Sequence, residues 1–231
     1  MKVAMITPYY KESTAQLRRC HNSVLQQTHK NVTHIMVADG NPHPWCDKQE
    51  MQHIILPRSH SDAGATPRAL AAISAFSQGY DAVGFIDADN WIDTDHVAEM
   101  VNALRSSGAS MVAATRRLHG LDGNMLYVDN WESNGKDFTD TNCMFLTRVA
   151  LPLMTEWITD PSRRLWSDRA FWDAVLRSKS PITICAKPTV AYVTKWAAHY
   201  VNAKVEPPPD SVWIGKDEAD NLIHIKHKDK K

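Results

Sequence analysis

Short β-rich runs alternate with capped helical stretches along the first half of this chain, and that alternation restricts the fold more than any other feature. Val3 to Thr7 is a compact apolar run closed by Pro8. Ser13, with Gln16 three residues on, forms the S-x-x-Q pattern that satisfies free amides at a helix start. Leu17, Cys20 and Val24 then recur at helical spacing and place one apolar stripe against a sheet. His34 to Ala38 reads as the next strand, so the first unit is β-α-β. Thr66 and Pro67 predict the cap and first turn of a second helix, with Leu70, Ile73 and Phe76 on its buried side and Gly79 just past its end. Ala82 to Ile86 is a buried-type strand. Asp93 or Thr94 then caps a helix carrying Val97, Val101 and Leu104 as far as Gly108, and Met111 to Thr115 is the strand after it. The expected fold class is α/β, with a mostly parallel, Rossmann-like central sheet flanked by helices and its ligand-binding groups gathered at the carboxyl ends of strands.

Beyond residue 115 the pattern loosens. Arg116 to Asp140 holds Gly120, Gly123 and Gly135 among many polar residues with no apolar period, and reads as a mobile loop. Regularity returns at Asn142 to Leu146 and in a helix from near Ser167, with Phe171, Ala174 and Val175 on its apolar face. Pro207-Pro208-Pro209 is a stiff break. A single domain over 1–206, with halves at 1–115 and 116–206, and a C-terminal segment over 207–231 is the organisation this implies.

Composition narrows the function classes. With 43% hydrophobic residues, 9 Gly and 12 Pro in 231 residues, the chain can bury a core and is neither collagenous nor low-complexity. Lys plus Arg equals Asp plus Glu at 26 each, which removes the broad basic field of a nonspecific nucleic-acid binder. No run of about 18 apolar residues exists to form a transmembrane segment. The run at Val3 is too short for the apolar core of a signal peptide. Cys20, Cys46, Cys143 and Cys185 are dispersed, which suits a reducing compartment, and the expected location is cytoplasmic.

The chemistry is concentrated after strands. Asp87 and Asp89 follow an apolar strand and precede a turn. Hard divalent cations take oxygen ligands, and Mg²⁺ or Mn²⁺ commonly uses one or two carboxylates while substrate phosphates fill its shell. Asp89 is thus a metal-ligand candidate and Asp87 a partner for a sugar hydroxyl or water; the plainer role is to cap the turn. Thr7-Pro8-Tyr9-Tyr10 and Asp39-Gly40-Asn41 end two other strands, and in a parallel sheet the three loops converge. An aromatic face, carboxylates and a metal at one edge outline a nucleotide-sugar site. Strand alternation sends Tyr9 toward it and Tyr10 away.

At these motifs the chain resembles the family 2 glycosyltransferases of the GT-A fold, from residue 3 to about residue 200. The resemblance rests on Met5-Ile6-Thr7-Pro8-Tyr9-Tyr10, on Ser23-Val24-Leu25-Gln26-Gln27-Thr28 and on Val37-Ala38-Asp39-Gly40. It implies a nucleotide-diphosphate sugar donor, with uridine diphosphate preferred, and a carbohydrate or other hydroxyl acceptor. It makes 1–115 the nucleotide-sugar-binding half and 116–206 the acceptor half. Thr7 and Tyr9 would contact the base, Asp39 would accept from it, Arg68 would approach the diphosphate and Asp89 would bind the metal, with Pro8 and Asp87 in the same nucleotide-sugar site. The chain departs from the pattern at Ala38, where many relatives carry an acid, and at Ala69, where they carry Asn after the Arg68 equivalent.

Asp168 resembles the acid of the family's E-D motif, with Ser167 in place of its glutamate, and is the candidate catalytic base that takes the acceptor's proton. As a first-turn aspartate it also suits the helix dipole. Asp140 and Trp166 are acceptor-binding candidates, Trp131 a weaker one; most of the 8 tryptophans belong in a core. His199 lies where some GT-A enzymes supply a further metal ligand, with Thr194 and Lys195 as alternatives facing the diphosphate. The leading expectation is an inverting, metal-dependent glycosyltransferase using Mn²⁺ or Mg²⁺. Behind it stand a retaining enzyme of the same fold, a nucleotidyltransferase and a sugar-binding module without turnover. The sequence is compatible with an oligomer.

Overall fold

The computed structural model describes residues 1–159, 166–216 and 222–226. The first β-α-β unit is β1 (Val3–Tyr9), α1 (Thr14–Leu25) and β2 (Val32–Ala38), followed by β3 (Gln52–Ile55). Ser13 and Gln16 form the reciprocal capping box at the start of α1, and Leu17, Cys20 and Val24 are buried. Next come α2 (Ala65–Ser77), β4 (Ala82–Phe85), β5 (Trp91–Ile92), α3 (His96–Ser107), β6 (Met111–His119), β7 (Met125–Asp129) and β8 (Met144–Thr147). The chain continues through α4 (Ser167–Arg177), β9 (Ile182–Val193), α5 (Ala197–Asn202), β10 (Val212–Lys216) and β11 (Leu222–Lys226).

The main sheet has the order β3-β2-β1-β4-β8-β6-β9-β5, with β7 beside β6. β1, β2, β3, β4, β6 and β9 run one way, while β5, β7 and β8 oppose them. The sheet is mixed but mostly parallel, and the carboxyl ends of β1, β2 and β4 share one edge. A separate hairpin pairs β10 with β11.

Two sequence expectations are corrected here. Arg116 to Asp140 is not wholly a loop, because Arg116 to His119 extends β6 and Met125 to Asp129 returns as β7. Polar side chains hid this strand pair: Arg116 is buried through ion pairs rather than apolar contact. In α2, Leu70 and Ile73 face outward, and the buried face is Ala65, Ala69, Ala72 and Ala75 with Phe76. Small side chains let this helix lie close on Ile6, Val37 and Phe85 of the sheet, a fit that apolar periodicity alone does not distinguish.

Candidate active site

A cavity of about 870 Å³ opens at the shared strand edge. Pro8, Tyr9 and Tyr10 enter it from the end of β1, Asp39 from the end of β2, and Asp87 and Asp89 from the turn after β4. Arg68, in the first turn of α2, reaches the same space.

The Asp39 end is tightly bonded. Its carboxylate accepts from Ser59 Oγ (2.9 Å), His60 Nδ1 (2.8 Å) and the His60 amide (3.1 Å). Burial alone would raise its pKa, but the bonds from His60 and Ser59 outweigh it and hold the group below the ordinary carboxylate range. Gly40, at φ +73°, allows this approach: a Cβ there would lie 2.2 Å from the Ser59 nitrogen.

The acidic pair splits into two environments. Arg68 Nη2 donates to Asp87 Oδ1. Asn142 grips the same residue from across the sheet, donating Nδ2–H to Asp87 Oδ2 (2.9 Å) and accepting the Asp87 amide on Oδ1 (2.6 Å). Asp89 instead faces the cavity. Burial first, and the neighbouring charge of Asp87 second, push its carboxyl up to about 6, with partial relief from Lys195. Lys195 and Arg19 line the same space; Arg19 stacks over Trp91 and donates to the Asp89 carbonyl.

Asp168 sits in the first turn of α4, where the dipole favours a charged carboxylate. Here burial dominates, followed by repulsion from Asp140, and its pKa is pushed up to about 6 against the opposing Arg169 and Arg68. Trp166 precedes this turn, with Arg169 beside its ring.

Several expected contacts lie elsewhere. The Thr7 side chain is buried away from the cavity, bonded to His34 Nε2 (2.8 Å) and Cys20 Sγ (3.5 Å). Tyr9 does line the cavity but is almost wholly enclosed, with its hydroxyl held by His53 (2.7 Å) and the His43 amide (2.9 Å). The exposed aromatic at the mouth is Tyr10, opposite to the expectation from alternation, because both faces of β1 are covered and the side chains free to reach solvent begin where the strand stops. Asp140 is engaged internally by Arg116 Nη1 (2.8 Å) and by Asn142, and is absent from the cavity lining.

His199 is likewise withdrawn. The Trp196 amide donates to Thr194 Oγ1, leaving the threonine proton for His199 Nδ1 (2.6 Å), so Nε2–H points to Glu132 (3.0 Å). With both ring nitrogens committed, His199 is not available as the metal ligand the sequence suggested. Among the described residues no group of three or more His, Cys, Asp or Glu side chains is arranged to hold an ion.

Asn142, Arg116, Glu132 and Arg19 were not singled out from sequence. Only Arg116 carried a signal, since a strand read through Met111 to Thr115 continues in alternation to Leu118.

Residues 4–150 match the model of glycosyl transferase family 2. The chain belongs to this family. A curated relative of this family 2 glycosyltransferase is the glycosyltransferase GlyA of Streptococcus pneumoniae, 33% identical over 100 residues, which is 42% of this chain and 14% of GlyA. Among solved structures, S. aureus TarS 1-349 in complex with UDP superposes with a TM-score of 0.63 at 16% identity, over 88% of this chain and 63% of that one. The complex of the same protein with UDP-GlcNAc gives 0.60 at 16% identity, over 84% and 59%. The chain thus spans less than two thirds of these relatives, and the structural match establishes a GT-A fold.

Proposed function

We propose that this chain transfers a sugar from a uridine-diphosphate donor to an acceptor hydroxyl with inversion, residues 1–115 serving mainly the donor and 116–206 the acceptor. The observation that carries this reading is one cavity holding Asp39 at one end and the Asp87–Arg68 pair with Asp89 at the other, in a family 2 chain. Neighbours of the same fold that bind UDP and UDP-GlcNAc support the donor class.

A divalent cation, Mn²⁺ or Mg²⁺, fits this donor set through one protein carboxylate. Asp89 faces the cavity, whereas Asp87 is taken by Arg68 and Asn142. Such an ion supplies charge neutralisation for a diphosphate leaving group. Lys195 and Arg19 add fixed positive charge around the same space, and Tyr10 offers an aromatic face. The acceptor oxygen attacks the anomeric carbon as the carbon–oxygen bond to the diphosphate breaks, and Asp168 takes the acceptor's proton. Trp166, two residues before that base, serves as an apolar face for an acceptor ring. The four cysteines are unpaired, which supports a reducing, cytoplasmic setting; no described helix is long and apolar enough to cross a membrane.

Calorimetry with UDP, ADP and GDP, each with and without Mn²⁺, tests the donor assignment. UDP is expected to bind best, and Asp89→Asn to weaken the Mn²⁺-dependent part by about ten-fold, near 1.4 kcal/mol. Equal affinity for all three nucleotides, or an unchanged Mn²⁺ effect in the variant, removes the corresponding assignment.

A further inference from the structure

An unbroken run of polar contacts links the donor carboxylate to the first turn of α4. Asn142 holds Asp87, and Asp140 holds Asn142 through its amide (2.9 Å) and Nδ2 (2.8 Å). Arg116, fully enclosed, pairs with Asp140 (2.8 Å), Asp129 (2.8 Å) and Glu132 Oε2 (2.9 Å). Glu132 Oε2 also receives His199 Nε2 (3.0 Å), and its Oε1 receives Arg169 Nη2 (3.3 Å). Arg169 lies over the Phe138 ring at 4.2 Å, while its own amide donates to Asp168 Oδ1 (2.8 Å).

Arg169 is the residue next to the proposed base. A guanidinium brought nearer a carboxylate stabilises its charged form, and a base so stabilised is a poorer proton acceptor. Glu132 competes for that guanidinium. Burial works against its charge, but the bonds and charges of His199, Arg116 and Arg169 lower its pKa to about 2, so it is an anion throughout the working range.

We propose that Glu132 is a positioning residue for the acceptor base, holding Arg169 against Phe138 and away from the Asp168 carboxylate while fixing that base, through Arg116, Asp140 and Asn142, relative to Asp87. This rests on Asp168 being the base. Among the described residues, the charged groups acting on Asp168 include Asp140, Arg169 and Arg68. In Glu132→Gln, Arg169 is released toward Asp168 and Arg116 turns more fully to Asp140. Both changes favour the ionised form, so the Asp168 midpoint falls. In Arg169→Gln a nearby cation is lost and the midpoint rises.

The test is ¹³C NMR titration of aspartate-labelled protein, with Asp168→Asn assigning the resonance. Opposite movements, each of about one pH unit, are expected in Glu132→Gln and Arg169→Gln. A purely structural role would loosen α4 and move both midpoints down toward the ordinary value; that result, or no movement in either variant, overturns the proposal. Arg169 is exposed, so its variant remains informative if the Glu132 variant folds poorly. UDP release from UDP-GlcNAc is measured alongside, with kcat expected to fall about ten-fold in Glu132→Gln and KM to hold. The NMR midpoints need no turnover, so they test Glu132 even if Asp168→Asn retains full transfer and the base assignment fails.

Discussion

Asp168 shows how burial and helix position compete for one carboxylate. The first turn of α4 alone would lower its pKa, by an effect worth about 0.3–1 kcal/mol. Burial and Asp140 reverse the sign and place it at about 6. Transfer is therefore expected to fall as pH drops through about 6, because the base becomes protonated, and a pH–rate profile checks this. Stability moves the other way. Below the ordinary carboxylate pKa the group is protonated in both states and contributes nothing; above it the unfolded chain ionises first, and the folded state loses stability until pH passes about 6. Asp168→Asn is expected to abolish transfer, by about 10² to 10⁴ in rate, yet to stabilise the fold by roughly 1–2 kcal/mol at pH 8 and by almost nothing at about pH 3. Melting curves at both pH values decide it: a variant less stable at pH 8 would mean that the dipole outweighs burial. The strand-end positions of Asp39 and Asp89 in the cavity wall were legible in the sequence, as was the helix start at Asp168, which like Asp140 does not line the cavity. Thr7, Asp140 and His199 were misplaced because sequence position brings a residue to the site's edge without saying which partners already occupy it.

Among the elements, those with apolar periodicity were legible: β1, α1, β2, β4, α3 and α4. β7 and the second half of β6 were not, because ion pairs rather than apolar contacts enclose Arg116 there. The turn after β2 was visible only as Asp-Gly, yet its geometry organises the Asp39 end of the cavity. Gly40 adopts φ +73°, and a methyl group would collide with the Arg58 and Ser59 backbone, at 2.3 and 2.2 Å. Backbone has no rotamer to yield. Gly40→Ala is therefore expected to push the 58–60 segment off Asp39, costing about 2 kcal/mol or more in stability and weakening UDP binding. Chemical denaturation with calorimetry checks both effects. A variant with wild-type stability and affinity would show that this segment moves freely and does not shape the site.

At the scale of the molecule, the donor and acceptor halves share one sheet. β6 runs as one strand through residues 115 and 116, although its pairing with β9 shifts register there, and β8, from the second half, lies between β4 and β6. The family match likewise continues to residue 150, past β8. Two of the three buried clusters draw on both halves: Phe85 and Ala72 pack in the same cluster as Phe171 and Trp172, and Val3 and Val97 with Phe145 and Val190, while the third, around Tyr9, Leu17 and Met36, lies in the first half. The donor site is divided in the same way, since Asp87 depends on Asn142. A chain ending at residue 115 would leave an edge of β4 unpaired and those apolar faces open to water, losses that a domain of marginal stability cannot absorb. The intact chain is expected to unfold in one cooperative calorimetric transition, and the 1–115 fragment to show none and to bind no UDP. A fragment that melts cooperatively near the temperature of the intact chain would make the donor half an independent folding unit and would detach the Asp87 geometry from Asn142.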